Sequence, residues 1–417
     1  MPFQRLRHLH QLATTFLIFP SATHKRFEHC IGVMELATRI YRVLRANLPD
    51  KLRTAWKLDD SALDYWEKVL RVAALCHDLG HLPFSHGIEG LLPAGRDHED
   101  LSRQVIESGP IPAILESCRP EIKVHDVIKL ALEKEKVAKE KPSAWEEILN
   151  QVITGECFGA DRMDYLLRDS YHLGVSHGHF DHHRLIECLR VLPLPPTPGG
   201  ERGGYGLGIV QGGIQSAEAL LLARYMMFSQ VYYHKTRVIF DYHLQQFIQQ
   251  WLEGQGNKSP ESLLRLTDND VFVALEAARS DDRDPGHSSA RRLVDRQHFR
   301  LIYQRNPADD DLNPEAFEAV YAGLRERYGE LVVERRKKAK TPEELQEKAK
   351  DVDFPVFQSG ISDSVSSLAL SQVLKTLPQA SYDYVYASPE IRQEACQWLD
   401  ENKSMLLSRK DTPAEEK

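Results

Sequence analysis

Apolar residues recur at spacings of three and four through most of the first 260 residues, in "EHCIGVMELATRIYRVLRANL", "WEKVLRVAALCHDLGH", "HEDLSRQVIES", "DRMDYLLRDSYHLG" and "SAEALLLARYMMFSQVYYHKTRVIFDYHLQQFIQQWL". That spacing lines one side of a 3.6-residue turn, so these segments are expected to fold as amphipathic helices packed face to face. Two stretches interrupt the pattern and read as surface excursions: the charged 133–147, and 192–210, where prolines and glycines allow a small hairpin. After "LTDNDVFVALEAARS" the character changes. "HFRLIYQR", "ELVVERRKK", "DFPVF" and "YDYVYAS" are short, rich in β-branched or aromatic residues, and separated by helical stretches. The expected architecture is mainly α, with a helical domain over 1–280 and a smaller α+β lobe over 281–417. At 417 residues the chain exceeds the roughly 250–300 at which one core stops growing, which agrees with two lobes.

Composition narrows the function classes. A net charge of −8 with 42% hydrophobic residues excludes a disordered or collagenous chain and disfavours a nucleic-acid coat, while leaving room for a local basic pocket. No apolar run approaches the roughly 18 residues of a membrane span, and no signal-peptide pattern opens the chain, so a cytosolic location is expected. Six scattered cysteines without a CxxC pair fit reduced thiols better than disulfides or a thiolate zinc site.

The polar cluster "CHDLGHLPFSH" (76–86) directly follows the apolar "VLRVAAL". Imidazole and carboxylate both resist leaving water without partners. Adjacent residues His77 and Asp78 lie about 100° apart on a helix, so both address one point only above a helix end, which Gly80 is expected to provide. An ion there would satisfy both, and an aspartate at a helix C-terminus otherwise meets the unfavourable end of the macrodipole. Further groups stand elsewhere: His29 opens a helix beside Arg26, and Asp161, Tyr165 and Asp169 fall at i, i+4 and i+8 on one helical face. Each of these, taken alone, also fits a hydrogen-bonded core histidine or a charge-paired helix surface.

The order "HKRFEH", "CHDLGHLPFSH", "DHEDLS", "FGADRMDYLLRDSYHLG" resembles the HD-domain phosphohydrolases, in particular the deoxynucleoside triphosphate triphosphohydrolases. The likeness runs from residue 3 to about 272, with a weaker echo in "DYVYASPEIRQEACQWL". It implies a helical core around one divalent metal held by His29, His77, Asp78 and Asp161. The mixed nitrogen and oxygen donor set suits Mn, Mg, Fe, Ni or Zn without choosing among them. It also implies that His81 and His98 stand near the attacking water and phosphates, and that His86 protonates the leaving 5′ oxygen, with Glu89 replacing the family's orienting aspartate. Arg26, Arg162 and Arg224 would bind phosphates, guanidinium being suited to bidentate contact with their oxygens.

By the same resemblance, Gln11 and Leu12 would line the sugar and base, Tyr165 would pack beneath the 2′ carbon and exclude a ribose hydroxyl, and Asp169 would bind the 3′ hydroxyl. Tyr232 would lie near the substrate. His234 and Lys235, in "VYYHK", match a basic pair that serves an allosteric nucleotide at an assembly interface, which implies a homo-oligomer. In animal members much of the activating-nucleotide site lies ahead of the first motif, a part to which no residue here corresponds. The histidine-rich 172–184 is read as a surface loop and not as a second metal site. The expected reaction is metal-dependent hydrolysis of a dNTP to deoxynucleoside and inorganic triphosphate. The alternatives are an HD phosphohydrolase acting on another nucleotide or a phosphomonoester, and a nucleotide sensor or nucleic-acid-binding module on the same fold.

Overall fold

The computed structural model describes residues 2–84, 92, 96–132, 142–195, 203–255, 259–337, 353–360, 363–377 and 382–408. Its principal elements in chain order are α1 (Arg26–Asn47), α2 (Asp60–Cys76), α3 (His98–Glu107), α4 (Val124–Ala131), α5 (Ala144–Thr154), α6 (Ala160–Leu173), α7 (His182–Cys188), β1 (Leu189–Pro193), β2 (Tyr205–Val210) and α8 (Ile214–Met227). There follow α9 (Lys235–Gln255), α10 (His287–Val294), β3 (Arg300–Gln304), α11 (Ala316–Tyr328), β4 (Val332–Lys337), β5 (Pro355–Phe357), β6 (Val365–Ser366), β7 (Tyr382–Ala387) and α12 (Arg392–Leu407). The protein is mainly α, with small sheets.

Two compact units divide the chain, and neither is continuous in sequence. The first comprises Met1–Met227, Gly256–Val271 and Pro342–Pro378; the second comprises Phe228–Gln255, Phe272–Thr341 and Gln379–Lys417. This division differs from a single boundary at 280, for identifiable reasons. Strand β5 pairs in parallel with β2, which carries 355–357 into the first unit. The tyrosines of β7 fasten 229–235 into the second: Tyr382 Oη bonds Ser229 Oγ (2.7 Å), Tyr384 Oη donates to Tyr233 O (2.9 Å) and Tyr386 Oη to Lys235 O (2.7 Å).

In the first unit α1 packs on α2, α5 and α6. Its start is capped by Glu28, which accepts from the Lys25 N–H (2.7 Å). Helix α2 starts on Asp59, which accepts from Ala62 N (2.8 Å). Val33, Ala37, Ile40, Tyr41 and Leu44 of α1 meet a buried face of α2 that includes Leu63, Val69, Leu70, Ala73 and Ala74. Each large apolar side chain contributes about 1.5–3 kcal/mol on burial, and the Tyr41 hydroxyl donates to Leu63 O (2.6 Å). Helix α6 ends on Gly174, whose φ of +68° is the left-handed conformation that closes many helices. In the second unit α9 covers the β3-β7-β4 sheet through Val238, Ile239, Phe299, Val333, Tyr384 and Tyr386.

Within the expected excursion at 133–147, residues 133–141 lie outside the described residues, whereas Ser143 caps α5 and Trp145 is fully buried. The expected hairpin at 192–210 is present as β1 and β2, paired antiparallel.

Candidate metal centre and active site

Three helix ends build the site, all within the first unit. His29 lies in the first turn of α1, His77 and Asp78 follow the last residue of α2, and Asp161 is the second residue of α6, where a carboxylate also suits the positive end of the helix. The sequence placed the end of α2 at Gly80, but the helix stops at Cys76. His77–Gly80 form turns, with Leu79 N bonded to Cys76 O (3.2 Å) and His81 N to Asp78 O (3.2 Å). Gly80 is required for a different reason: a Cβ there would lie 2.0 Å from His98 O and 2.2 Å from Ser102 N, so glycine lets α3 close on the turn. Ser102 completes the junction, its Oγ accepting from Gly80 N (2.9 Å) and donating to His77 O (2.9 Å).

His29, His77 and Asp161 converge, each offering a ligand atom within 4.8 Å of the others. His29 Nε2 lies 3.0 Å, and His77 Nε2 3.6 Å, from Asp161 Oδ1. Asp78 adjoins this cluster, at 3.3 Å from His77 Nε2 and 3.8 Å from His29 Nε2, while its Oδ2 meets Arg26 and its Oδ1 lies 3.2 Å from His81 Nε2.

The second nitrogen of each imidazole is already engaged. His77 Nδ1 donates to Ala74 O (2.8 Å), and His29 Nδ1 to Asp164 Oδ2 (2.7 Å). The two Nε2 atoms are buried and make no hydrogen bond among the described residues. Two imidazoles fixed through Nδ1, with Nε2 lone pairs turned toward carboxylates, form a donor set that fits a divalent cation. Without one, protons take its place. Burial lowers the affinity of His29 for a proton, but the adjacent carboxylates of Asp161 and Asp164 outweigh it and push its pKa up to about 10. His77 is raised against burial by Asp78 and Asp161. Burial would raise the pKa of Asp161, and the neighbouring His29 and His77 reverse this and hold it far below the usual carboxylate range.

His81 and His98 stack with ring centroids 4.2 Å apart and planes 11° from parallel. Burial and then the Arg26 charge hold His81 well below its ordinary pKa. Arg162 lies 2.5 Å and Arg224 3.7 Å from Glu156 Oε2, so one carboxylate stands between both guanidinium groups. Tyr165 is half-buried, and burial raises its phenol against the charges of Arg162 and Arg224. Asp169 is buried with His24, whose Nε2 lies 2.8 Å away. Leu12 is buried, and Gln11 N donates to His24 O (3.0 Å). His86 and Glu89 lie outside the described residues. Tyr232, His234 and Lys235 belong to the second unit, where the Tyr232 carbonyl accepts from Arg237 (3.1 Å) and His234 Nδ1 from Thr236 N (3.2 Å).

Sequence reasoning missed Asp164 and Glu156. Asp164 follows Asp161 by three residues, a spacing that keeps both on one side of α6 and was available as a signal. Nothing marked Glu156, whose arginines stand six and 68 residues further along the chain.

Histidines and aspartates from separate helix ends face a single point, with Arg26 against Asp78, and form a candidate metal centre. Residues 26–169 match the HD domain family and residues 180–315 the HD-associated region. A crystal structure of a hypothetical protein from Aquifex aeolicus is 30% identical, with a TM-score of 0.72 over 95% of this chain and 93% of that one. The chain therefore carries an HD domain followed by its associated region and belongs with the HD-domain proteins. An uncharacterized protein of Methanocaldococcus jannaschii, MJ1154, is 34% identical over 239 residues, 57% of this chain and 42% of that protein. The deoxynucleoside triphosphate triphosphohydrolase SAMHD1 of Danio rerio is 32% identical over 214 residues, 46% of this chain and 33% of that enzyme. The chain thus spans less than half of either relative. Among the described residues no helix is long and apolar enough to cross a membrane.

Proposed function

We propose that the protein hydrolyses deoxynucleoside triphosphates to deoxynucleoside and inorganic triphosphate. The observation that carries this reading is helix α6: Asp161 belongs to the histidine cluster, while Tyr165 and Asp169 follow at one and two turns, and Arg162 and Arg224 stand close enough for their charges to work against the burial that keeps the Tyr165 phenol protonated. One helix would then present metal ligand, phosphate contact and sugar contact in line. The similarity to the Danio rerio enzyme supports the same substrate class.

In this reading His29, His77, Asp78 and Asp161 hold one divalent ion, whose identity the donor set leaves open between Mn, Mg, Fe, Ni and Zn; it supplies Lewis acidity toward a phosphoryl oxygen and water. Arg26 binds the α-phosphate, and Arg162 and Arg224 bind the outer phosphates, releasing Glu156. Gln11, Leu12, Tyr165 and Asp169 receive the nucleoside. His81 and His98 orient the attacking water, whose oxygen bonds to the α-phosphorus. The bond from phosphorus to O5′ breaks, and His86, oriented by Glu89, delivers the proton that makes O5′ a hydroxyl. His234 and Lys235 contact an allosteric nucleotide in a homo-oligomer.

The test is a panel of all dNTPs and NTPs with Mn²⁺ or Mg²⁺, singly and in mixtures, with products separated by chromatography. Deoxynucleoside plus triphosphate from dNTPs is expected. Stepwise phosphate release would place the substrate among other nucleotides or monophosphates, and no turnover on any nucleotide would favour a sensor or nucleic-acid-binding module.

A further inference from the structure

The geometry points to Asp164 as the residue that sets the orientation and donor strength of His29 toward the metal, acting through His29 and not as a ligand. This inference rests on the metal-centre reading above. Asp164 Oδ2 accepts from His29 Nδ1 at 2.7 Å, and both side chains are buried. An ionised carboxylate has only acceptor sites, so Nδ1 carries the proton. With a metal bound, the neutral ring would then offer its Nε2 lone pair on the side that faces Asp161.

Asp164 is itself held. Arg168, one turn further along α6, donates Nε to Oδ2 and Nη2 to Oδ1, both at 2.8 Å. This bidentate grip fixes the carboxylate plane as well as its position. Burial would raise the pKa of Asp164, and the bonds to His29 and Arg168 keep it low, in keeping with that geometry.

Helix α1 carries a matching feature. Gly32 stands three residues after His29, in a helix interior, where glycine is less favourable than alanine. A Cβ at this position would lie 1.8 Å from Asp164 Oδ1 and 2.3 Å from Arg168 Nη2. The missing side chain opens the notch through which the Asp164–Arg168 pair reaches His29. Local helix stability is thereby exchanged for a contact whose evident use is to aim one imidazole. His77 lacks such a carboxylate at Nδ1, where a backbone carbonyl serves instead. The two imidazoles are therefore unequal donors, with His29 the stronger.

The experiment measures Mn²⁺ binding to the full chain from the paramagnetic resonance of free Mn²⁺, alongside thermal unfolding in EDTA. Wild type, Asp164→Asn, Asp164→Ala and Arg168→Gln are compared. Asp164→Asn keeps the shape and an acceptor but removes the charge. It should weaken Mn²⁺ about 10- to 100-fold, the usual loss when such an outer partner is changed, and Asp164→Ala should weaken it further. Arg168→Gln should weaken it less than either, since the carboxylate remains but is no longer gripped. A lowered EDTA unfolding temperature with unchanged Mn²⁺ affinity would show a structural role alone and overturn the inference. If the Asp164 variants do not fold, Arg168→Gln decides, and unchanged affinity there overturns it. A wild type that binds no Mn²⁺ would refute the metal-centre reading itself, a failure visible before any variant is made.

Discussion

Gly80→Ala adds one carbon at a point where the chain has no room for it. The new Cβ would stand 2.0 Å from His98 O and 2.2 Å from Ser102 N, both backbone atoms of α3. Comfortable contact between heavy atoms begins near 3.5 Å, so the turn and the helix must separate by about 1.5 Å. Overpacking of this kind costs roughly 1–3 kcal/mol. The bond from Gly80 N to Ser102 Oγ would stretch beyond use, adding about 1 kcal/mol. The expected destabilisation is therefore about 2–4 kcal/mol, read in urea as a lower midpoint with an unchanged slope. The same movement carries His98 away from His81, whose rings now stack at 4.2 Å, so kcat should fall at least about 10-fold at saturating nucleotide. A variant with the wild-type midpoint and kcat would refute the argument that glycine is needed here for close approach.

Glu156→Gln should lower the KM for nucleotide by about 1.4- to 5-fold, the equivalent of ~0.2–1 kcal/mol for an exposed ion pair, because phosphates would no longer displace a carboxylate from Arg162 and Arg224; an unchanged or higher KM would contradict that placement. Tyr165→Ala should reduce the ratio of kcat/KM for dNTP over NTP by about 10-fold or more, and an unchanged ratio would show that sugar choice lies elsewhere. The metal-free protein has a pH signature as well. His29, at about 10 in the folded state against 6.5 as its ordinary value, contributes stability that is fully present below pH 6.5 and lost as the pH rises toward 10. Urea midpoints in EDTA should therefore fall between pH 6.5 and 9, and saturating Mn²⁺ should remove that fall. A metal-free midpoint that rises over this range would contradict the account.

Much of this arrangement was legible in the sequence, and what escaped had specific causes. The helices that carry His29 and Asp161, and the one that ends just before His77, follow directly from apolar spacing, and the alignment of Asp161, Tyr165 and Asp169 follows from helical geometry. Asp164 escaped because its partner His29 lies 135 residues earlier, and spacing along α6 says nothing of what faces it. Gly80 was visible as a glycine but gives two readings: helix stop, or a point of close approach. Only the position of α3 separates them. The division into units was hidden for a similar reason. Strand β5 has three residues and pairs with a strand 147 positions earlier, so its local pattern carries no sign of its neighbour.

The central claim, water attack at the α-phosphorus by the site around His29, His77 and Asp161, is tested most directly by hydrolysis of dGTP with Mn²⁺ in ¹⁸O-labelled water, with products analysed by mass spectrometry. The account predicts one ¹⁸O in the released triphosphate and none in the deoxyguanosine. Label in the deoxyguanosine, or release of labelled orthophosphate with dGDP, would contradict it.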